Sequence, residues 1–164
     1  MFSAIENAVA PLKGEGVITD TVRIPPSLAE ARYDDKRSML ERVRVAAARF
    51  GADAVLVVNI YNDDDWYVNP LSILYVTIAG MWIVPGTHLD VISLSEGYLV
   101  DVRNEYLYLN VMGKGHASTV RPLMYIDEQT ISDRATHKAI EKLGHELAYK
   151  LRDFNKHDLV QQKP

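Results

Sequence analysis

The chain contains no cysteine. Disulfide bonds, thiol nucleophiles and thiolate metal sites are therefore excluded. A G-x-S-x-G segment, which carries the nucleophilic serine in one large class of hydrolases, is also missing. Acidic residues outnumber basic ones, 22 to 18, and the net charge of −4 argues against a nucleic-acid partner.

The amino terminus lacks the apolar core of a secretion signal, because Glu6 and Asn7 fall where that core would lie. The chain as given is expected to be cytosolic, or to be a mature or trimmed form whose targeting segment is missing. Its 164 residues, 48% of them hydrophobic and 24% charged, have the composition of one globular domain. We predict a single α/β domain over residues 1–154 and a flexible tail over residues 155–164.

Charge is absent from a long internal stretch, since no residue between Asp65 and His88 carries one. A membrane-spanning helix needs about 20 apolar residues. Pro70 and Pro85 shorten the part of this stretch that could be helical, and Gly80 weakens its centre. The sequence favours instead an insertion between two strands, with a helical turn or two first and an extended end.

This charge-free segment, residues 69–87, holds more apolar surface than the sheet edge of a small domain readily hides. Exposed apolar patches of this kind mark a protein partner or a membrane surface. We predict that the protein self-associates or docks a partner through the segment, with contact to a membrane surface as an alternative. The predicted contact residues are Ile73, Tyr75, Ile78, Met81, Trp82 and Ile83.

Hydrophobic periodicity outlines the remaining elements. The apolar run at residues 54–60 predicts a central strand covered on both faces, and the polar residues 62–65 predict a turn after it. The fold expected is an α/β (α+β) sandwich, a mixed sheet of four or five strands with the two long helices packed on a face. Helices are predicted for residues 2–12, 35–50 and 131–154, and strands for residues 16–24, 54–60, 89–102 and 106–112.

Glycines mark two expected interruptions. Gly51 follows the first long helix, where a left-handed residue commonly ends a helix. Gly113 and Gly115 flank a lysine and predict a bend or bulge that closes the hairpin. The last helix carries an apolar stripe that should face the core, formed by Ala139, Leu143, Leu147, Leu151 and Phe154.

Two groups of histidines bear on catalysis and metal binding. His88 and Asp90, joined by His116, would form a general-base pair. No recognisable nucleophile accompanies them, so a structural role at a strand end is the favoured interpretation. A small hydrolase built on these residues is kept as an alternative.

The second group lies on the predicted last helix. His137, Glu141 and His145 recur at four-residue intervals, so they share one face and could ligate a metal together with Asp133. The same spacing also describes any solvated helix face. We therefore expect no cofactor and no metal, and keep a small metal-binding protein as a second form of the alternative.

Three segments carry a resemblance to a known family: FGADAVLVV after a helix, LSILYVTIAGMWIVPGTHLD, and GYLVDVRNEYLYLNVMGKGHAS before the final helix. Together they resemble the rhombotarget lipoprotein family of bacterial envelope proteins. More distantly they resemble the α/β modules of curli-secretion lipoproteins and the amino-terminal domain of the translocation protein TolB. The resemblance covers roughly residues 22–151.

The resemblance implies a non-catalytic structural or protein-interaction module of the bacterial cell envelope, periplasmic or anchored to the outer membrane. It implies an envelope protein or a second copy as partner, and it supplies no catalytic residues. The chain departs from that family in having no lipobox cysteine. The family pattern also places a strand and a helix before the matched part, and without that strand a sheet edge would be exposed.

Overall fold

A computed structural model of the protein describes residues 2–28, 38–69 and 85–161. The helices and strands follow one another as α1, α2, β1, β2, β3 and α3. Helix α3 continues past residue 154, so part of the predicted tail is helical. The bounds are α1 Phe2–Gly14, α2 Met39–Arg49, β1 Ala54–Val68, β2 Thr87–Asp101, β3 Leu107–Arg121 and α3 Glu128–Gln161, with short 3-10 turns at Pro26–Leu28 and Leu123–Tyr125.

The strands form one antiparallel sheet in the order β1-β2-β3, and each strand has 15 residues. The predicted α/β class is confirmed, with three strands in the described residues where the sequence predicted four or five. The central position predicted for residues 54–60 is wrong, because β2 is the middle strand. This part of β1 is apolar on both faces because Val58 packs against a core cluster formed by α1, β3 and α3, and Val55 packs with helix α2.

The turn predicted at residues 62–65 is also wrong, because β1 continues through them. Asn62 pairs with Ser93 and Asp65 pairs with Asp90 in the ladder to β2. Aspartate is a poor strand former, and here the pairing with a neighbouring strand outweighs that propensity. The pairing extends the ribbon of β1 and β2 as far as Val68.

The strand predicted at residues 16–24 does not form either. The N–H groups of Val17 and Ile18 both bond to the carbonyl of Leu12, at 3.0 and 3.4 Å. These bonds satisfy a carbonyl at the end of helix α1, which would otherwise lack a partner. Val17 and Ile18 pack against the core without joining the sheet, whereas Val22 is exposed.

Helix α3 lies unusually close to the sheet, because small residues line the contact. A methyl group at Gly115 would sit 1.8 Å from the Ala135 carbonyl oxygen, and one at Gly113 would sit 2.0 Å from that of Ala139. The buried Ser95 hydroxyl donates to the Ala139 carbonyl at 3.0 Å. The bend predicted at these glycines is therefore wrong: they lie within β3, and they admit the helix backbone.

The main core lies between α1, α3 and the sheet. Leu143 and Leu147 are 0% and 3% exposed, which confirms the predicted apolar stripe of the last helix over these turns. They pack with Val111 of β3 and with the buried face of α1, including Leu12. A second cluster near the start of α3 is centred on Leu89, which is fully buried.

Helix α2 lies on the opposite face of the sheet from α3. Its Ala47 is buried against Val100 and Val102 at the end of β2. The side chain of Arg44 donates to the Val102 carbonyl at 3.0 Å and pairs with Glu105. The two long helices predicted to share a face thus lie on different faces. The helix ends as predicted, since Gly51 has a φ of +70°.

Candidate docking surfaces

The two faces of the sheet are covered unequally. Side chains of odd-numbered residues in β2, from Thr87 to Gly97, lie under helix α3 and are buried. Even-numbered residues point to the other face, where α2 covers only the end near Val100. We call the remainder the open face. Its side chains come from Tyr61, Asp63, Asp65 and Tyr67 of β1, His88, Asp90, Ile92, Leu94 and Glu96 of β2, and Met112, Lys114, His116, Ser118 and Val120 of β3.

The open face mixes charged and apolar side chains, and its charge is unevenly placed. The carboxylates lie on β1 and β2, whereas Lys114 lies on β3. Asp65 and Asp90 are direct neighbours across the ladder, an arrangement that is unfavourable between like charges. Ile92 and Met112 are 41% and 48% exposed. Charged and apolar side chains are therefore interspersed on the open face, and its described residues form no single apolar patch.

One hydrogen-bonded group stands out on the open face, and we call it the Asp90 cluster. The Tyr67 hydroxyl donates to one oxygen of Asp90 at 3.1 Å, and the His116 ring lies 3.6 Å from the other oxygen. His88 stacks on the Tyr67 ring at 4.6 Å between centroids. Its Nε2 atom lies 3.2 Å from the Asn69 amide nitrogen.

The Asp90 cluster contains all three predicted general-base residues, but they do not form one continuous hydrogen-bonded chain. Asp90 meets His116, whereas His88 is held by Tyr67 and Asn69. The hydrogen bond to the Asp90 carboxylate raises the pKa of the Tyr67 hydroxyl, with desolvation and the nearby charges adding to it. In the described residues no serine hydroxyl bonds to either histidine. The cluster can therefore hold and orient the strand ends, and it lacks an activated nucleophile.

The second group of histidines lines a shallow groove between α1 and α3. His137, Glu141 and His145 lie there beside Ser3 and Asn7, around a volume of about 280 Å³. All three are solvent-exposed. Within the described ranges, no three histidine or carboxylate side chains converge closely enough to hold a metal ion. The spacing of these residues thus places them on one helix face without building a ligand set.

The two ends of the charge-free segment lie at the end of the ribbon formed by β1 and β2. Val68 pairs with Thr87, and beyond them the Asn69 N–H bonds to the Gly86 carbonyl at 2.8 Å. Asn69 and Gly86, close to the two ends of this segment, are therefore neighbours. The helices that the structure describes include none with the length and apolarity needed to cross a membrane. The predicted contact residues Ile73, Tyr75, Ile78, Met81, Trp82 and Ile83 lie outside the described residues.

Exposed apolar side chains surround this end of the ribbon, which we call the hairpin end. Trp66 and Tyr67 at the end of β1 are 42% and 47% exposed. Val120, which lies opposite His88 on β3, is 48% exposed. Aromatic side chains that are partly exposed are typical of docking surfaces, because they combine apolar area with a polar tip.

The two outer edges of the sheet differ. On β3, three of the outward backbone groups bond to side chains of α3. The pairs are the Met112 N–H with Glu146 at 3.0 Å, the Asn110 carbonyl with Lys150 at 2.7 Å, and the His116 carbonyl with Lys138 at 2.9 Å. On β1, every residue from Tyr61 to Tyr67 is exposed. In the described part of the chain, the backbone of that stretch bonds only to β2.

The free edge of β1 was not predicted, because residues 62–65 read as a turn. The signal that identifies it is the Trp66-Tyr67-Val68 run after the aspartates, which has strong strand propensity and argues for a continuing strand.

Comparisons of the chain with models of protein families, with curated proteins and with solved structures find no match.

Proposed function

We propose that this protein is a non-catalytic protein-interaction module whose sheet is left incompletely covered for a partner. The observation that supports this most strongly is the position of the charge-free segment. The bond between Asn69 and Gly86 holds both of its ends at the tip of the β1–β2 ribbon. The segment between these ends contains no charged residue, and exposed apolar surface of this kind is typical of docking sites.

The state of the polar groups supports a binding role over a catalytic one. One oxygen of Asp90 accepts a hydrogen bond from Tyr67, and the other lies beside the His116 ring. His137 and His145 are exposed on a helix face. Neither arrangement joins a nucleophile to a base. The alternative of a small hydrolase or metal-binding protein therefore has less support than the interaction module.

The place of action is proposed from the resemblance to envelope lipoproteins. The chain would act in the bacterial periplasm or at the outer membrane, with a second copy or another envelope protein as its partner. In the assembled form, a strand contributed by the partner would bring the sheet to the four or five strands expected from the sequence. Contact of the hairpin end with a membrane surface is part of the same proposal.

Multi-angle light scattering over a range of protein concentrations tests the docking role of the segment. The wild-type protein is expected to rise above its monomer mass of 18.5 kDa as the concentration increases. Trp82→Ala should weaken this association at least about tenfold, because large aromatic anchors dominate interface energies. The matched control is Tyr149→Ala, which removes a 70% exposed aromatic side chain from helix α3.

Vesicle flotation with phosphatidylcholine liposomes covers the membrane form of the proposal. Trp82→Ala should reduce any flotation of the wild-type protein, whereas Tyr149→Ala should leave it unchanged. A strict monomer at high concentration, with solubility and vesicle binding unaffected by Trp82→Ala, would overturn the proposed docking role of the segment.

A further inference from the structure

The free edge of β1 offers backbone groups in a fixed alternation. In an antiparallel ladder, a residue directs both its N–H and its carbonyl either to one neighbour or to the other side. Asp53 and Asn69, at the two ends of β1, both bond to the β2 side. The backbone N–H and carbonyl groups of odd-numbered β1 residues therefore point toward β2. Those of even-numbered residues point away from the sheet. The outward groups of the exposed stretch belong to Asn62, Asp64 and Trp66.

The exposed stretch is as long as an ordinary strand. Residues 61–67 are all exposed, and a typical strand has about five or six residues. A row of outward N–H and carbonyl groups is a template on which another strand can pair. The edge of β3 is a poorer template, because side chains of Lys138, Glu146 and Lys150 already bond to three of its outward backbone groups.

Charge sets the chemistry of the strand that would fit. Asp63 and Asp65 project on the open face, and Asp64 projects on the other face. The described residues provide no hydrogen-bond or ion-pair partner for any of these three carboxylates. Tyr61 and Trp66, at the two ends of the stretch, are 55% and 42% exposed. Such rings can cover the aliphatic stems of lysine or arginine and attract their cationic heads.

We propose that the edge of β1 over residues 61–67 binds an extended, basic segment of another polypeptide as a fourth strand. Lysine or arginine side chains on both faces of that strand would each meet an aspartate. This inference rests on the proposed role as an interaction module, but it uses residues outside the charge-free segment. It therefore identifies the chemical class of a partner that the segment alone does not.

A second copy of the chain fits this edge poorly. Pairing β1 with β1 about a two-fold axis would bring the aspartates of both copies together, and like charges across a ladder are destabilising. Pairing β1 with β3 of another copy would require the side chains of α3 to give up their bonds to Met112 and Asn110. A basic strand from a different protein meets neither obstacle.

Fluorescence anisotropy with a labelled synthetic peptide tests the proposal. The probe is a peptide of about ten residues in which two lysines alternate with two valines, so that lysines lie on both faces of the strand. The matched control peptide carries glutamate in place of lysine. Two variants separate backbone from charge: Asp64→Asn removes only the charge, whereas Asp64→Pro also removes an outward N–H. Proline is tolerated there by the native ladder because that N–H faces away from β2. Circular dichroism confirms that both variants are folded.

A third peptide makes the test independent of how the proline variant folds. It repeats the lysine-valine sequence with N-methyl groups on consecutive central residues, so that neither edge of the peptide can pair. We expect the wild-type protein to bind the unmethylated peptide at least about tenfold more tightly than the methylated one, the effect of losing a main-chain hydrogen bond or more. Asp64→Pro should bind at least about tenfold more weakly than Asp64→Asn on the same ground.

The contribution of charge is tested by replacing Asp63, Asp64 and Asp65 together with asparagine. This variant should bind weakly and lose most of the decrease in affinity between about 50 and about 200 mM salt. The control changes the same net charge elsewhere, with Glu6→Gln, Asp133→Asn and Glu141→Gln, and should bind like the wild type.

Three results would overturn the inference. They are no binding of the lysine-valine peptide, equal binding of the methylated and unmethylated peptides, and a wild-type dimer that Asp64→Pro dissociates. Since the segment is tested separately through Trp82→Ala, a failure here leaves that result intact. Conversely, a wild-type protein that stays monomeric in light scattering would not explain equal peptide binding by Asp64→Pro and Asp64→Asn.

Discussion

Single residues decide how closely helix α3 can approach the sheet. At Gly115 the space that a side chain would need is already filled by the backbone of α3, with the Ala135 carbonyl oxygen 1.8 Å from the position of an added methyl group. Backbone cannot rotate away as a flexible side chain can, so the helix would have to shift as a unit. Overpacking of this kind commonly costs about 1–3 kcal/mol.

Gly115→Ala is therefore expected to lower the free energy of unfolding by at least about 1–3 kcal/mol in chemical denaturation. The control is Gly14→Ala, because an added methyl group there meets no atom within 4 Å. The control should stay within about 0.5 kcal/mol of the wild type, as most surface changes do. Equal stabilities of the two variants would mean that α3 does not lie against Gly115.

A single carboxylate organises the turn between β2 and β3. Asp101 accepts hydrogen bonds from the backbone N–H groups of Arg103 and Asn104, at 2.7 and 3.0 Å, and from the Tyr108 hydroxyl at 2.5 Å. The Tyr108 hydrogen bond is the largest cause that lowers the pKa of Asp101 below its ordinary value of 3.8, and the two backbone bonds add to it. The folded state therefore favours the ionised form more than the unfolded chain does.

This depressed pKa predicts a pH dependence of stability. Because the pKa is lower in the folded state, Asp101 contributes stability above 3.8, and that contribution is lost as the pH falls toward the folded-state value. Asp101→Asn should therefore show a smaller fall in unfolding free energy between about pH 5 and pH 3 than the wild type. Asp63→Asn, which removes a carboxylate without a hydrogen bond in the described residues, should keep the wild-type fall. An unchanged fall in Asp101→Asn would contradict the hydrogen-bonded turn.

At the scale of elements, helix α3 both covers the sheet and closes one of its edges. Glu146 is held between the Met112 N–H and the Lys150 ammonium group, at 3.0 and 2.9 Å. Burial works to raise the pKa of Glu146, but the bonds from Lys150 and Met112 outweigh it, so the pKa is lowered. The carboxylate is therefore charged when it caps the strand edge.

Glu146→Ala is expected to reduce the free energy of unfolding by about 0.5–1.5 kcal/mol, the range for one net hydrogen bond, and nearer the lower end because the side chain is partly exposed. It should also increase concentration-dependent association, because the edge of β3 would then be open. Denaturation and light scattering measure the two effects. Glu141→Ala, one turn earlier and solvent-exposed, is the control, and equal association of the two variants would contradict an edge-capping role for Glu146.

The helices were largely predictable from sequence, because a single apolar face determines each of them. Gly51 and the stripe containing Leu143 mark α2 and α3 directly. The sheet was less predictable, since a strand position depends on residues far away in the chain. Residues 54–60 are apolar on both faces because two helices cover them, and this pattern looks the same as that of a central strand.

The candidate surfaces were predictable only in part. The charge-free segment is visible in the sequence because a long gap between charges is itself unusual. The edge of β1 was hidden, because three aspartates in succession look like a turn when the partner strand is unknown. The roles of Gly113 and Gly115 depend on Ala135 and Ala139 of α3, and no local pattern reveals that contact.

In the residues that the structure describes, the whole molecule is one sheet with one face covered by α1 and α3. Side chains of α3 bond along the edge of β3, and the edge of β1 is open over residues 61–67. The central claim is that the isolated chain is an incomplete sheet that a partner completes. Helix α3 contributes to this arrangement in two ways. It requires glycine in β3, and it supplies the side chains that bond along the edge of β3. Strand β1 has no such cover over residues 61–67 in the described part of the chain.

Amide hydrogen exchange of the isolated protein, followed residue by residue with NMR, tests this claim most directly. The amides of Asp63 and Asp65 should exchange slowly because they bond to β2, and the Met112 amide should be slowed by Glu146. Fast exchange is expected at Asn62, Asp64 and Trp66, because their N–H groups point away from β2. Protection of these three amides equal to that of Asp63 and Asp65 would contradict it, because the edge of β1 would then already be paired.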